Sequence, residues 1–150
     1  MPNNFVFDTV AQDLKTQIFG STDGVNTVPV HVDAAGNLEM GVSFTSLTAS
    51  LTAPASGTGI AITLDSSEKS LYSFYAMNSG TTSTLTVKLQ VSPTTLASYF
   101  IDDSSTPVVL APSAAAVLVP KYYLNYTRLY YTNNDTVNTA SLQAYCDARA

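Results

Sequence analysis

The sequence has little of what most reactive sites are built from: its 150 residues include one cysteine, one histidine and no tryptophan. A lone cysteine excludes a disulfide framework within one chain, and one cysteine with one histidine excludes a zinc site made from those residue types. With six lysines and arginines and a net charge of −5, the chain cannot neutralise many phosphates, so we expect no nucleic-acid partner. Charged residues make up only 11%, which excludes a charged disordered tail and a coiled coil.

Long hydrophobic runs are also missing. No stretch approaches the roughly 20 apolar residues that a membrane-spanning helix needs, so we expect no membrane insertion. The N-terminus has neither a basic start nor an apolar stretch of signal-peptide length. Small hydroxyl side chains are abundant instead, with 20 threonines and 17 serines. This composition is typical of a surface protein, and we expect an extracellular location, or one on a spore or particle surface, for a chain synthesised without a signal peptide.

Period-two alternation of apolar and polar residues predicts β-strands through most of the chain. The clearest alternation lies at Leu47–Ala53, Ile60–Leu64, Leu85–Val91 and Leu142–Ala148. Further strands are predicted at Tyr99–Asp102, Val108–Leu110, Ala115–Val119 and Tyr126–Thr132. The segment Ser70–Asn78 would carry apolar side chains on both faces of a strand, which favours a central strand.

Turn residues separate these strands every eight to twelve residues, which is typical of a sandwich or barrel. We therefore predict an all-β fold, a two-sheet antiparallel β-sandwich of about eight strands; the pattern also matches a jelly roll. Three parts are predicted along the chain: an N-terminal arm at 1–19, a linker and β-hairpin at 20–42 with the hairpin at roughly 27–41, and the sandwich domain at 43–150.

The arm differs from the rest because it concentrates large apolar side chains. Asp8 is placed to cap a short helix with an apolar stripe at Ala11, Leu14 and Ile18, although Phe5–Val10 also fits an extended strand. The side chains that need a partner are Phe5, Val6, Phe7, Val10, Leu14, Ile18 and Phe19. They either pack on their own sandwich or dock on a neighbouring subunit, and we name them as the candidate subunit contact.

Two stretches of the chain resemble known sequences. Gln17–Gly24, followed by Val28–Asp33 and Gly36–Leu38, resembles a short β motif recurrent in bacterial surface and phage structural proteins. Phe74–Gly80 and Leu85–Pro93, continuing through Asp102-Asp103 to Val119–Tyr131, complete the pattern. Together, over roughly residues 17–148, they are similar to a family of small uncharacterised β domains common in spore-forming Gram-positive bacteria.

That family has no assigned catalytic motif, so the resemblance implies no catalytic residue. Its architecture is similar to the jelly-roll subunits of endospore appendages, which polymerise through N-terminal arms and use cysteines in the arm for covalent links. The present chain has no cysteine before Cys146, so it departs from that covalent chemistry.

Residues that could carry chemistry are few. His31 and Asp33 share a strand face, but no Gly-x-Ser-x-Gly elbow presents a nucleophile. Asp102 and Asp103 precede Ser104-Ser105 and offer oxygen ligands for Ca²⁺, although adjacent aspartates before serines more often form a turn. We predict no enzymatic activity, no catalytic residue, no metal site and no cofactor.

Nine tyrosines are the most unusual feature. Tyr126, Arg128 and Tyr130 share one face of their strand and form a candidate surface-binding patch, which could stack on sugars or bury against another subunit. Their alternative role is in the sandwich core and its margin. Cys146 alternates with core positions and is predicted to be buried; an intermolecular disulfide is its alternative.

These observations favour a structural, self-assembling subunit of an extracellular or spore-surface filament. Its partner would be the chain itself, joined through the N-terminal arm. Two alternatives stay open: a carbohydrate-binding or adhesin β-sandwich module, with a glycan as its partner, and a phage virion structural protein.

Overall fold

The computed structural model describes residues 19–21, 27–29, 43–103 and 107–150. The chain divides into two units, Met1–Gly41 and Val42–Ala150. In the first unit, strand β1 (Phe19–Ser21) pairs antiparallel with β2 (Thr27–Pro29). This pairing differs from the prediction, which placed Phe19 in the arm and a hairpin at roughly 27–41: only β2 falls within that hairpin, and its strand partner β1 begins in the predicted arm. The remaining residues of the predicted hairpin, the helix predicted after Asp8, and His31 lie outside the described residues.

In the described residues of the second unit there are nine strands and one short 3-10 turn, at Ala97–Tyr99. Alternating side chains produce these strands, and turn residues such as Pro54 and Pro93 separate them. The strands are β3 (Phe44–Ala53), β4 (Thr58–Asp65), β5 (Leu71–Asn78), β6 (Leu85–Ser92), β7 (Ile101–Asp102), β8 (Val108–Leu110), β9 (Ala115–Leu118), β10 (Tyr126–Asn133) and β11 (Ala140–Arg149).

The nine strands form two antiparallel sheets. Sheet I has the order β3-β11-β5-β9, and sheet II has the order β4-β10-β6, with both β7 and β8 on the far side of β6. β8 pairs with the first half of β6 and β7 with its last residues, so the two act as one interrupted edge strand. With β7 and β8 counted as one strand, the second unit, called the body from here on, has eight described strands in the order of a jelly roll. The predicted all-β sandwich is confirmed.

The core lies between the two sheets. Its largest fully buried side chains are Tyr72, Phe74, Leu85, Leu89, Leu110, Leu129 and Leu142. Cys146 belongs to the same buried cluster, as its alternation predicted. β5 is central in sheet I, also as predicted, but only one of its apolar faces is buried, since Leu71 and Tyr75 remain exposed.

Two buried asparagines hold the loops at one end of the sandwich. The amide of Asn78, at the end of β5, donates to the carbonyl of Ser83 at 2.7 Å. The amide of Asn133, at the end of β10, donates to the carbonyls of Pro54 and Asn138, both at 2.9 Å. Because a buried amide must be hydrogen-bonded, each side chain fixes the loop that follows its strand.

At the opposite end, the two ends of the body lie side by side. The amide of Ala150 donates to the carbonyl of Ser43 at 2.9 Å, extending the pairing of β11 with β3. Among the described strands, β3 in sheet I and β4 in sheet II are the outermost on one side of the sandwich. β4 is irregular there, because Ala61 is an extra residue between the positions that pair with Leu129 and Tyr130.

Candidate interaction surfaces

The outer face of sheet I carries an exposed apolar row. The strand register places Val117, Tyr75 and Tyr145 side by side on β9, β5 and β11. Val117 is 63% exposed, and the rings of Tyr75 and Tyr145 lie 5.9 Å apart between centroids. Three adjacent strands therefore present apolar surface to solvent.

A cavity of about 290 Å³ opens on the same sheet, towards the end where the body begins. Exposed Phe44 and Leu71 flank Arg149 across three strands. Further wall residues are Tyr72, Val119 and Asp147. The volume exceeds the roughly 150 Å³ that accommodates a benzene ring, so the cavity is large enough for an aromatic side chain. Arg149 and Asp147 add charge to walls that are otherwise mostly apolar.

Sequence reasoning did not single out this apolar face. Its members come from strands that are distant in sequence, and only the register brings Val117 beside Tyr75 and Tyr145. One signal was present in the sequence: Ser70–Asn78 is apolar at both parities. A strand with one face in the core has a second apolar face only if that face is also covered or is left open to a partner.

On the outer face of sheet II, Arg128 is held by contacts within the sheet. Its guanidinium carbon lies 3.8 Å from the ring centroid of Phe100, and its Nε donates to Oε1 of Gln90 at 2.8 Å. Only 9% of Arg128 is exposed. Burial lowers the pKa of this guanidinium, which still stays charged because an arginine begins so far above neutral pH.

The network continues from Gln90 to the edge of the sheet. Gln90 Nε2 donates to one oxygen of Asp102 at 2.7 Å, and Lys88 Nζ contacts the other at 2.7 Å. The hydrogen bond from Lys88, followed by that from Gln90, lowers the pKa of the Asp102 carboxyl. Lys88 also lies 5.4 Å from the ring centroid of Tyr130. A continuous chain of polar and cation–π contacts thus links β10, β6 and β7.

The candidate patch of Tyr126, Arg128 and Tyr130 is therefore not a free binding surface at its centre. Phe100 covers one face of the Arg128 guanidinium, and both tyrosines are half-buried. Sequence reasoning missed Phe100, which lies 28 positions before Arg128 in the chain. The alternation of residues within β10 contains no signal for a contact with so distant a residue. Glycan binding at this patch stays a prediction.

The two adjacent aspartates have separate partners. Asp102 is held by Lys88 and Gln90, whereas an oxygen of the buried Asp103 accepts the backbone amide of Lys121 at 2.7 Å. Ser104 and Ser105 lie outside the described residues. Within residues 43–103 and 107–150, no cluster of three histidine, cysteine or acidic side chains is placed to hold a metal ion.

Cys146 is 1% exposed, and burial together with neighbouring Asp147 raises the pKa of its thiol to about 12. The arm positions from Phe5 to Ile18 lie outside the described residues; of the candidate contact set, the backbone of Phe19 falls in β1. In the part of the chain that is described, no helix is long and apolar enough to cross a membrane.

The body is thus a small antiparallel jelly-roll domain with an internally bonded polar network on the outer face of sheet II and an exposed apolar row on the outer face of sheet I. Residues 65–150 match the family described as a domain of unknown function, DUF6385, and the chain belongs to that family. The matched region begins at the last residue of β4 and contains all of β5–β11.

Among solved structures, the chain is similar to the one titled "Crystal structure of PirA". The two are 12% identical, with a TM-score of 0.49, over 69% of this chain and 93% of that one. No curated protein matches.

Proposed function

We propose that the protein is a structural subunit that assembles with copies of itself into a filament on an extracellular or spore surface, joined through its N-terminal arm. The observation that carries the proposal is the exposed apolar row on the outer face of sheet I. There, Val117, Tyr75 and Tyr145 stand beside a cavity lined by Phe44 and Leu71. Monomeric proteins seldom leave such contiguous apolar surface uncovered unless it serves an interaction.

The arm supplies side chains of matching chemistry. It carries seven large apolar residues between Phe5 and Phe19, and burying each of them stabilises an assembly by about 1.5–3 kcal/mol before ordering costs. An aromatic side chain from the arm fits the volume of the cavity.

The geometry of such a contact favours an open assembly. When the arm of one copy docks on the body of the next, the two contacting surfaces differ, and a contact of this kind continues into a filament unless its rotation closes a ring. The resemblance to endospore-appendage subunits supports the same arrangement. The arm has no cysteine, so the joint would be non-covalent and sensitive to dilution.

The first experiment compares full-length protein, purified without denaturant, with protein lacking residues 1–16 by negative-stain electron microscopy and size-exclusion chromatography. We expect filaments from the full chain and a soluble, folded monomer after truncation. Filaments that survive truncation would overturn the role of the arm. A full-length protein that is monomeric at every concentration would overturn self-assembly.

A matched pair of substitutions tests the receiving face. Val117 on sheet I and Val109 on β8 are both 63% exposed, so the same change perturbs folding similarly at either site. Val117→Glu should raise the critical concentration for assembly at least tenfold, because it places a charge on the apolar row. Val109→Glu should leave assembly unchanged. Equal effects of the two substitutions would show that the apolar face of sheet I is not the docking surface.

A further inference from the structure

The edge of β3 that faces away from β11 presents a regular series of backbone groups. In an antiparallel pair, residues alternate between those that bond to the partner strand and those that point away from it. Ser43 accepts a hydrogen bond from Ala150, so positions of the same parity, up to Ala53, bond to β11. The residues whose amide and carbonyl groups point away from β11 are therefore Phe44, Ser46, Thr48, Ser50 and Thr52.

This edge lacks the devices that usually prevent edge-to-edge pairing. Natural edge strands are short, or carry lysine, proline or a bulge. β3 is ten residues long, has no charged residue and no proline, and pairs with β11 in unbroken register. No described residue pairs with its other edge.

The core side of the same strand is incompletely covered. Leu47, Ala49 and Leu51 pack against the core but remain half-buried, in contrast to the fully buried Leu142 and Ala144 on neighbouring β11. A further strand beside β3 would form hydrogen bonds with its outward-pointing backbone groups, and it would also cover these half-buried side chains.

We propose that β3 pairs antiparallel with β3 of a second copy, about a two-fold axis at Thr48. The five outward-pointing residues are centred on Thr48, so this register alone gives each of them a partner. Thr48 faces its own copy, Ser46 faces Ser50, and Phe44 faces Thr52. Each such pair exchanges two backbone hydrogen bonds, and the sheet continues across both copies.

Side-chain chemistry is compatible with this register. Paired residues are all of the same parity, so the outer faces of the two copies lie on the same side of the joined sheet. The pairs bring hydroxyls together at Thr48 and at Ser46 with Ser50, which is a favourable cross-strand combination, and no like charges oppose each other. The contact is isologous and closes at two copies, so it is independent of the proposed arm contact and could hold whether or not the arm makes filaments.

Cysteine cross-linking tests the register directly in the full chain. Paired Cα atoms lie about 5.5 Å apart, within disulfide range, so Thr48→Cys should give a disulfide-linked dimer under mild oxidation. Thr52→Cys is the matched control, because it lies on the same exposed face of the same strand, but its two copies would be about 27 Å apart. Equal cross-linking of the two variants, or none of either, would overturn the proposal.

A charge placed at the axis gives a second test that leaves the fold intact. Thr48→Lys sets two ammonium groups opposite each other and should weaken dimerisation at least tenfold by sedimentation velocity. Gln143→Lys on the same outer face, in interior strand β11, should not. Dimerisation of Thr48→Lys as strong as that of the unsubstituted protein would exclude the β3 edge as the contact.

Discussion

The guanidinium carbon of Arg128 lies 3.8 Å from the ring centroid of Phe100, so a charged side chain on β10 is covered by an aromatic ring from the segment before β7. The Gln90 carboxamide completes the arrangement by accepting from Arg128 Nε. This contact ties β10 to the far edge of sheet II across β6. It gives Arg128, a residue of the candidate binding patch, a structural role within sheet II.

Replacing Arg128 with lysine should therefore lower the stability of the fold. Lysine keeps the charge but loses the planar stack on Phe100 and the Nε donor to Gln90, and cation–π contacts of this kind contribute about 1–2 kcal/mol. We expect Arg128→Lys to lower the free energy of unfolding by about that amount in urea titrations. The control is Arg149→Lys at an exposed position, which should change it little. An equal loss in both variants would show that the stack contributes nothing specific.

Buried Asn133 should not tolerate an isosteric acid. Its amide donates to the carbonyls of Pro54 and Asn138, and its Oδ1 accepts the amide of Asp135 at 3.0 Å. Asn133→Asp replaces the donor with an oxygen facing carbonyls, and we expect a loss of about 2 kcal/mol or more in unfolding free energy. Asn134→Asp, at the exposed next position, is the control and should change it by much less. If the two variants lose the same amount, Asn133 is not the anchor of this loop.

Asp135 should make stability depend on pH at the acid end. Hydrogen bonds from the backbone amides of Asn138 and Val137, in that order, lower the pKa of its carboxyl from 3.8 to about 2. A carboxyl with a lowered pKa in the folded state contributes stability above its unfolded pKa, and that contribution disappears as the pH falls from about 4 to about 2. Asp135→Asn should lower the thermal midpoint at neutral pH and flatten its fall between pH 4 and 2. A thermal midpoint that falls as steeply between pH 4 and 2 in Asp135→Asn as in the unsubstituted protein would contradict this role.

The thiol of Cys146 should be inert in the folded protein. With its pKa raised to about 12 by burial, almost no thiolate forms near pH 8, and the thiolate is the reactive species. A thiol reagent should label Cys146 only when the protein unfolds, so the labelling rate in increasing urea should follow the unfolding transition. Exposed Thr63→Cys in a Cys146→Ala background should react at once. Rapid labelling of native Cys146, or a disulfide-linked dimer of the unsubstituted protein, would contradict its burial.

The strands could be predicted because their signal is local. Alternation at Leu47–Ala53 and Leu85–Val91 reflects one face in a core, and β3 and β6 follow it closely. β7 and β8 were predicted as separate strands, but their union into one interrupted edge could not be predicted, since it depends on both segments pairing with the same strand, β6. The sequence shows where strands lie but not which strands are neighbours.

Among the candidate sites, too, features set by a single strand could be predicted, and features that depend on neighbouring strands could not. Burial of Cys146 depends on the parity of a single strand and was predicted correctly. The exposed row of Val117, Tyr75 and Tyr145 depends on the register of three strands and was not found. The position of Arg128 on its strand was predicted, but its cover by Phe100 was not, because nothing in the periodicity of β10 refers to residue 100.

The hydrogen bond between Ala150 and Ser43 has a practical consequence for anyone who handles this protein. A purification tag appended after Ala150 would leave the body beside Phe44 and Arg149, at the cavity on sheet I. It would compete there with whatever occupies that cavity. A tag inserted in the exposed loop at Val137, at the opposite end of the sandwich, avoids this interference. Because the two ends of the body adjoin, a short peptide could also join them, and the chain could be reopened in that loop to give a circularly permuted jelly roll.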